Sequence, residues 1–176
     1  MKRTLLTACL PIAMAACSVQ PPAASTVPEN LRPAAQVHLK TLAARGVQIY
    51  ECRARNDDPR LTQWVFVAPD ADLFDEHGRP AGRHYAGPHW EDADGSKVVG
   101  SVKASAAAPR ADAIAWLLLA TKSVGKDGAF SHVTSVQRIN TVGGTAPPAG
   151  GCTAELIGKL GRVAYSADYV MYTAGK

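Results

Sequence analysis

The chain predicts a mainly β fold, an antiparallel β-sandwich or barrel built as a single domain. Three observations carry this expectation. From Val47 onward, short runs rich in Val, Ile, Tyr and Thr alternate with polar residues. Clusters of Gly, Pro, Asn and Asp punctuate those runs at short intervals. The chain has 176 residues, and the 160 beyond residue 16 suit one domain with its own hydrophobic core.

Residues 1–16 read as a signal peptide. Lys2 and Arg3 form a positive n-region, and Thr4 to Ile12 is apolar but too short to span a bilayer. Met14-Ala15-Ala16-Cys17 resembles a lipobox, with Met where Leu is more usual. Cys17 is then the lipidated residue, and Ser18 in place of Asp favours the outer membrane by analogy with lipoprotein sorting. An ordinary signal peptide cut after Ala16 is the alternative. Residues 17–33 read as the lipidated Cys and a flexible tether, rich in Pro, Ala and Ser. The β domain is expected over 34–176.

Residues 34–44 are ambiguous. Leu31, Ala35, His38, Leu39 and Leu42 fit a helical face that Gly46 would close. Val37, Leu39, Thr41 and Ala43 equally fit a strand. Val47 to Cys52 reads as a strand, Asn56 to Pro59 as a turn, and Trp64 to Val67 as a second strand ended by Pro69. Leu73-Phe74 leads into a turn at Glu76-His77-Gly78. His84-Tyr85-Ala86 and His89-Trp90-Glu91 flank Gly87-Pro88, and Asp92 to Ser96 is a hairpin turn whose Asp-Gly pair suits a left-handed backbone. Lys97 to Ala104 alternates, with Val98, Gly100 and Val102 on one side. Ala113 to Ala120 is the most apolar run, and periodicity leaves it as either a buried strand or a short helix. Ser131 to Thr141 and Tyr165 to Tyr172 read as further strands, separated by Gly- and Pro-rich turns. No internal repeat is visible.

Charge and cysteines bound the function. The formal charge of +4 falls to +2 once Lys2 and Arg3 are set aside, leaving 17 basic and 15 acidic residues. No Lys/Arg cluster is interleaved with aromatics, which gives nucleic-acid binding no support. Cys9 lies in the signal and Cys17 takes the lipid, so Cys52 and Cys152 remain as a pair in an oxidising compartment. They are expected to form a disulfide across 100 residues, and the chain-entropy model assigns such a loop about 4.7 kcal/mol before any native strain.

Several segments carry a family resemblance. They are Gly46 to Cys52, His84 to Glu91, Asp94-Gly95-Ser96, Val99-Gly100, Ala113 to Leu119, Gln137 to Pro147 and Gly151-Cys152. Together they resemble the family called domain of unknown function 3455, found in secreted bacterial and fungal proteins, over residues 35–175. The resemblance implies no activity. It implies Pro where this chain has Ala115, which disfavours a helix and makes 113–120 a buried strand. It also pairs Cys52 with Cys152. Some members carry a dehydrogenase label, but no Gly-x-Gly-x-x-Gly opens a βα unit here, and no cofactor is expected.

The polar constellation of the chain is the His84–Asp94 segment. Functionally it reads as a loop carrying a ligand pocket, with His84, His89 and Glu91 contacting a polar ligand and Trp90 stacking on it. His-x4-His-x-Glu matches no established metal pattern, and on strands it puts His89 and Glu91 on one face with His84 unplaced. The bland reading makes Trp90 core and leaves the histidines to satisfy backbone groups or face water. Asp92-x-Asp94-Gly95-Ser96 lacks the later ligands of a calcium loop and reads as a turn. Arg138 is read as a solvated charge or a partner for a carboxylate such as Glu51. Ser123, Ser131 and Ser135 have no nucleophile-elbow setting. The sequence thus predicts an envelope lipoprotein held to the membrane by its lipid, with a non-enzymatic module for a small ligand, glycan or envelope protein. A hydrolase or metal-dependent enzyme centred on His84, His89 and Glu91, and a purely structural envelope protein, are the alternatives.

Overall fold

The computed structural model describes residues 26–175. The signal peptide and the lipidation site at Cys17 lie outside the described residues. Eight strands run in order around a closed antiparallel barrel: β1 (Gln36–Ala54), β2 (Thr62–Phe74), β3 (Pro80–Tyr85), β4 (His89–Asp92), β5 (Lys97–Ala106), β6 (Trp116–Ser123), β7 (Val133–Gly143) and β8 (Leu160–Ala174). Pairing of β1 with β8 closes the ring. A barrel answers the edge problem of an antiparallel sheet, because closure pairs the two end strands. The barrel alternative, not the sandwich, is therefore the one adopted.

Alternation sorts side chains between the wall's two faces. Leu42, Ala44, Leu73, Val98, Val136, Ala167, Tyr169 and Met171 point inward and are buried. Outside, Asp70 bridges Arg83 and Arg162 at 2.7 Å each, and Lys97 meets Glu91 at 3.2 Å. Apolar inside and charged outside is the reverse of a lipid-facing barrel. None of the helices among the described residues is long and apolar enough to cross a membrane.

One end is sealed. Phe130, in the β6–β7 connection, is fully buried against the inward residues of the barrel. The Asp92–Ser96 turn holds it there. Asp94 accepts from the amides of Ser96 (2.7 Å) and Ala129 (2.8 Å), and Ser96 Oγ accepts from the Phe130 amide at 3.0 Å. Gly95 has φ of +84°, the left-handed value such a turn demands.

The structure resolves the open readings and corrects others. Residues 36–44 are strand, paired with β8 on both sides of a bulge at Leu39; Leu42 and Ala44 point inward while Leu39 is exposed, so period 2 wins over the helical face. Pro69 does not end the second strand. β2 runs on to Phe74, with Pro69 opposite Gln48, because β2 has no β3 partner before Ala71 and the missing N–H is tolerated on an edge. The strand expected over 113–120 begins at Trp116. Residues 113–115 instead lie against the end of β7, through an Ala113–Gly144 bridge, an Ile114 amide bond to the Gly143 carbonyl and a Thr141 hydroxyl bond to the Ile114 carbonyl. The described end of the segment expected as a tether, 17–33, is packed on the barrel. Residues Glu29–Leu31 form a 3-10 turn, and Leu31 is fully buried on the outer wall over Trp116 and Leu118. Gln137 Nε2 donates to the Leu31 carbonyl at 2.6 Å and fixes it there.

The disulfide is formed between Cys52 and Cys152, 100 residues apart, with Cα atoms at 5.3 Å. It ties the long β7–β8 connection to the end of β1, at the end of the barrel opposite Phe130.

Candidate functional site: a side-opening cavity in the barrel

The half of the barrel opposite Phe130 is not filled. The reason lies in strand lengths. The β3–β4 hairpin is short: β3 pairs with β2 only from Ala71 to Phe74, and β4 with β5 only from Lys97 to Val99. Residues 62–70 of β2 and 101–106 of β5 therefore have no strand between them. A window opens above the Gly87-Pro88 turn, and behind it lies a cavity of about 800 Å³. That volume falls in the range of small-molecule sites, and an eight-stranded barrel is wide enough to hold one small ligand.

Apolar side chains dominate the lining. Phe66, Val67 and Val102 stand exposed at the window, with Leu117, Leu119 and Ile114 deeper. An aromatic wall forms the floor. His84 and Trp90 are directly opposite each other on β3 and β4, stacked with centroids 4.4 Å apart and planes 14° apart. Tyr169 meets both edge-on, at 4.8 Å from His84 and 5.4 Å from Trp90. Trp90 fits because position 100 is glycine: a Cβ there would sit 2.8 Å from the indole ring.

His84 is 3% exposed. Its Nδ1 donates to the His89 carbonyl at 2.8 Å, which fixes the tautomer and leaves Nε2 as an acceptor. Burial pushes its pKa down to about 3, helped by the Arg138 charge and opposed by the bond to His89. The imidazole is therefore neutral at physiological pH. Burial likewise pushes Tyr165 and Tyr169 up, and their hydroxyls lie 3.3 Å apart. Tyr50 donates to the Gly144 carbonyl at 2.7 Å and its pKa is raised by burial.

Arg138 lines this cavity. Neither sequence reading of it holds. Glu51 pairs with Arg53 at 2.6 Å, and Arg138 is turned inward from β7, opposite Tyr169 and Leu117. Its Nε and Nη2 donate to the Ala115 carbonyl at 3.1 and 2.9 Å. Its charge opposes the rise that burial imposes on Tyr50, Tyr165 and Tyr169 and adds to the fall that burial imposes on His84. Among the described residues no carboxylate pairs with it.

The four sequence-predicted ligand residues divide between the two faces of the wall. His84 and Trp90 line the cavity. His89 and Glu91 sit on the outside, on one face as their spacing implies. His89 stacks on Tyr85 with centroids at 5.3 Å, and Glu91 accepts from the Tyr85 hydroxyl at 2.5 Å. His84, His89 and Glu91 thus do not converge, and among the described residues no group of three His, Cys, Asp or Glu side chains could hold a metal. Gln48, Tyr50, Arg138 and Tyr169 are cavity residues that sequence reasoning missed. The signal that could have found Arg138 was its two-residue spacing from Val136, which puts both side chains on one face of the strand.

No curated protein and no solved structure matches the chain. The family model for proteins of unknown function called DUF3455 matches residues 33–173. That span takes in all of the barrel but its last residue, Cys52 and Cys152, and every residue of the cavity, and on it the chain belongs to the DUF3455 family.

Proposed function

We propose that this barrel is the binding module of an outer-membrane lipoprotein, and that its cavity takes one small, largely apolar ligand. The observation that carries the reading is the 800 Å³ cavity behind the β2–β5 window. A well-packed interior leaves few voids larger than a water molecule. This one is open, apolar, and floored by His84, Trp90 and Tyr169. The absence of a convergent acid, base or nucleophile among its lining residues favours binding over the hydrolase reading. The attachment through Cys17 belongs to the same proposal. Among the described residues, Val27 and Leu31 pack beside Ala104 and Ala106 on the window half of the barrel.

The test uses the neutral apolar dye N-phenyl-1-naphthylamine. The expected result is saturable, one-to-one binding to the wild type, weakened at least tenfold in Leu117→Trp, which fills the cavity. No saturable binding, or binding indifferent to Leu117→Trp, overturns the reading in favour of a structural protein. Incorporation of a tagged fatty acid that is lost in Cys17→Ser tests the anchor.

A further inference from the structure

Arg138 is the one formal charge among the residues lining the cavity. His84 is neutral there, and the tyrosines Tyr50 and Tyr169 stay protonated. A guanidinium has five N–H donors in a planar fork. Two of Arg138's bond to a neutral carbonyl, that of Ala115. The rest have no counter-ion among the described residues. A charge turned into an apolar space without a partner is costly. Two further donors share the predicament. Gln48 Nε2 and Trp90 Nε1 are both buried without a hydrogen-bond partner, and both residues line the cavity. The site therefore presents an excess of donors and one positive charge, with apolar walls leading from it to the window.

We infer that the ligand is an apolar monocarboxylate, its carboxylate received by Arg138 and the donors of Gln48 and Trp90, its hydrocarbon body lying between Leu117, Leu119 and the window residues Phe66 and Val102. The inference rests on the cavity being a ligand site and adds the class of ligand. One negative charge matches one guanidinium, and a carboxylate's two oxygens match the fork that Arg138 still offers. Dianions such as phosphate monoesters would bring a charge the cavity does not balance. The neutral His84 Nε2 adds an acceptor that a hydroxyl on the ligand would satisfy.

The experiment measures displacement of bound N-phenyl-1-naphthylamine by octanoate and by 1-octanol at pH 7. These share a hydrocarbon chain and differ in the charged head. Octanoate is expected to bind at least tenfold more tightly than 1-octanol to the wild type. That ratio should fall to about one in Arg138→Gln and stay between the two values in Arg138→Lys, which keeps the charge and loses the fork. The ratio is the readout because a general loss of affinity moves both ligands together. Equal binding of octanoate and 1-octanol to the wild type, displacement by neither, or a preference that survives Arg138→Gln, overturns the inference while leaving the cavity a ligand site. Failure of the dye itself to bind strikes at the cavity reading instead.

Discussion

His84 and Trp90 stack face to face inside the barrel, at 4.4 Å, while His89 and Glu91, which flank Trp90 in sequence, face out. A strand has period 2, so His84 and Trp90, opposite each other across the hairpin, share one face. The Gly87-Pro88 turn sets that register, which sequence spacing alone left undefined.

The buried His84 makes stability pH-dependent. Its ring is neutral in the folded barrel down to about pH 3, whereas in the unfolded chain it takes up a proton near pH 6.5. The unfolded state then binds the extra proton between those values, so this stability is present above pH 6.5 and lost as pH falls toward 3. Each pH unit in that window contributes about 1.4 kcal/mol. Urea titrations from pH 7 to 4 should show this slope in wild type and lose it in His84→Phe. Equal slopes in both would show that His84 is not buried as described.

Gly100 is predicted to be intolerant of any side chain. A Cβ would meet the Trp90 ring at 2.8 Å, and overpacking of this kind costs about 1–3 kcal/mol. Gly100→Ala should lower the thermal midpoint and weaken dye binding together. Gly150→Ala, at a glycine with open space around it, should leave the midpoint nearly unchanged.

Phe130 is held by Asp94, whose pKa is lowered to about 2 by bonds from Ser96 and the Ala129 amide. Asp94→Ala removes the acceptor that fixes the 128–131 segment. Hydrogen exchange should accelerate at the Ala129 and Phe130 amides while that of β1 and β8 is unaffected.

The disulfide closes a 100-residue loop. Cys52→Ser/Cys152→Ser should lose up to about 4.7 kcal/mol of stability, read as a lower denaturation midpoint. Reductant should shift the wild type to the same value and leave the double variant unmoved.

Local chemistry was legible in the sequence. The Asp94-Gly95 turn, the strand alternation, the membership of the family and the Cys52–Cys152 pair all follow from short-range signals or from resemblance. The parts that were not legible depend on partners distant in sequence. Pro69 looked like a strand end because nothing local says that β2 lacks a neighbour on that side. Leu118 and Trp116 looked like core strand residues, yet their apolar surface is covered from outside by Leu31, about 85 residues earlier. Arg138 looked solvated because a lone basic residue usually is. Only the closed barrel turns it toward His84 and Tyr169. The cavity itself comes from a mismatch in strand length, with β3 and β4 far shorter than β2 and β5, which no residue pattern announces.

The three tryptophans give the most direct test of a ligand site inside the barrel. Trp90 Nε1 is unbonded and its residue lines the cavity. Trp64 Nε1 donates to the Pro148 carbonyl outside the cavity, and Trp116 lies on the outer wall under Leu31. Indole N–H resonances should be followed by NMR while N-phenyl-1-naphthylamine is added. The account predicts that the Trp90 resonance shifts and saturates at one equivalent while those of Trp64 and Trp116 stay in place. A Trp90 resonance that stays fixed while the dye binds would contradict it.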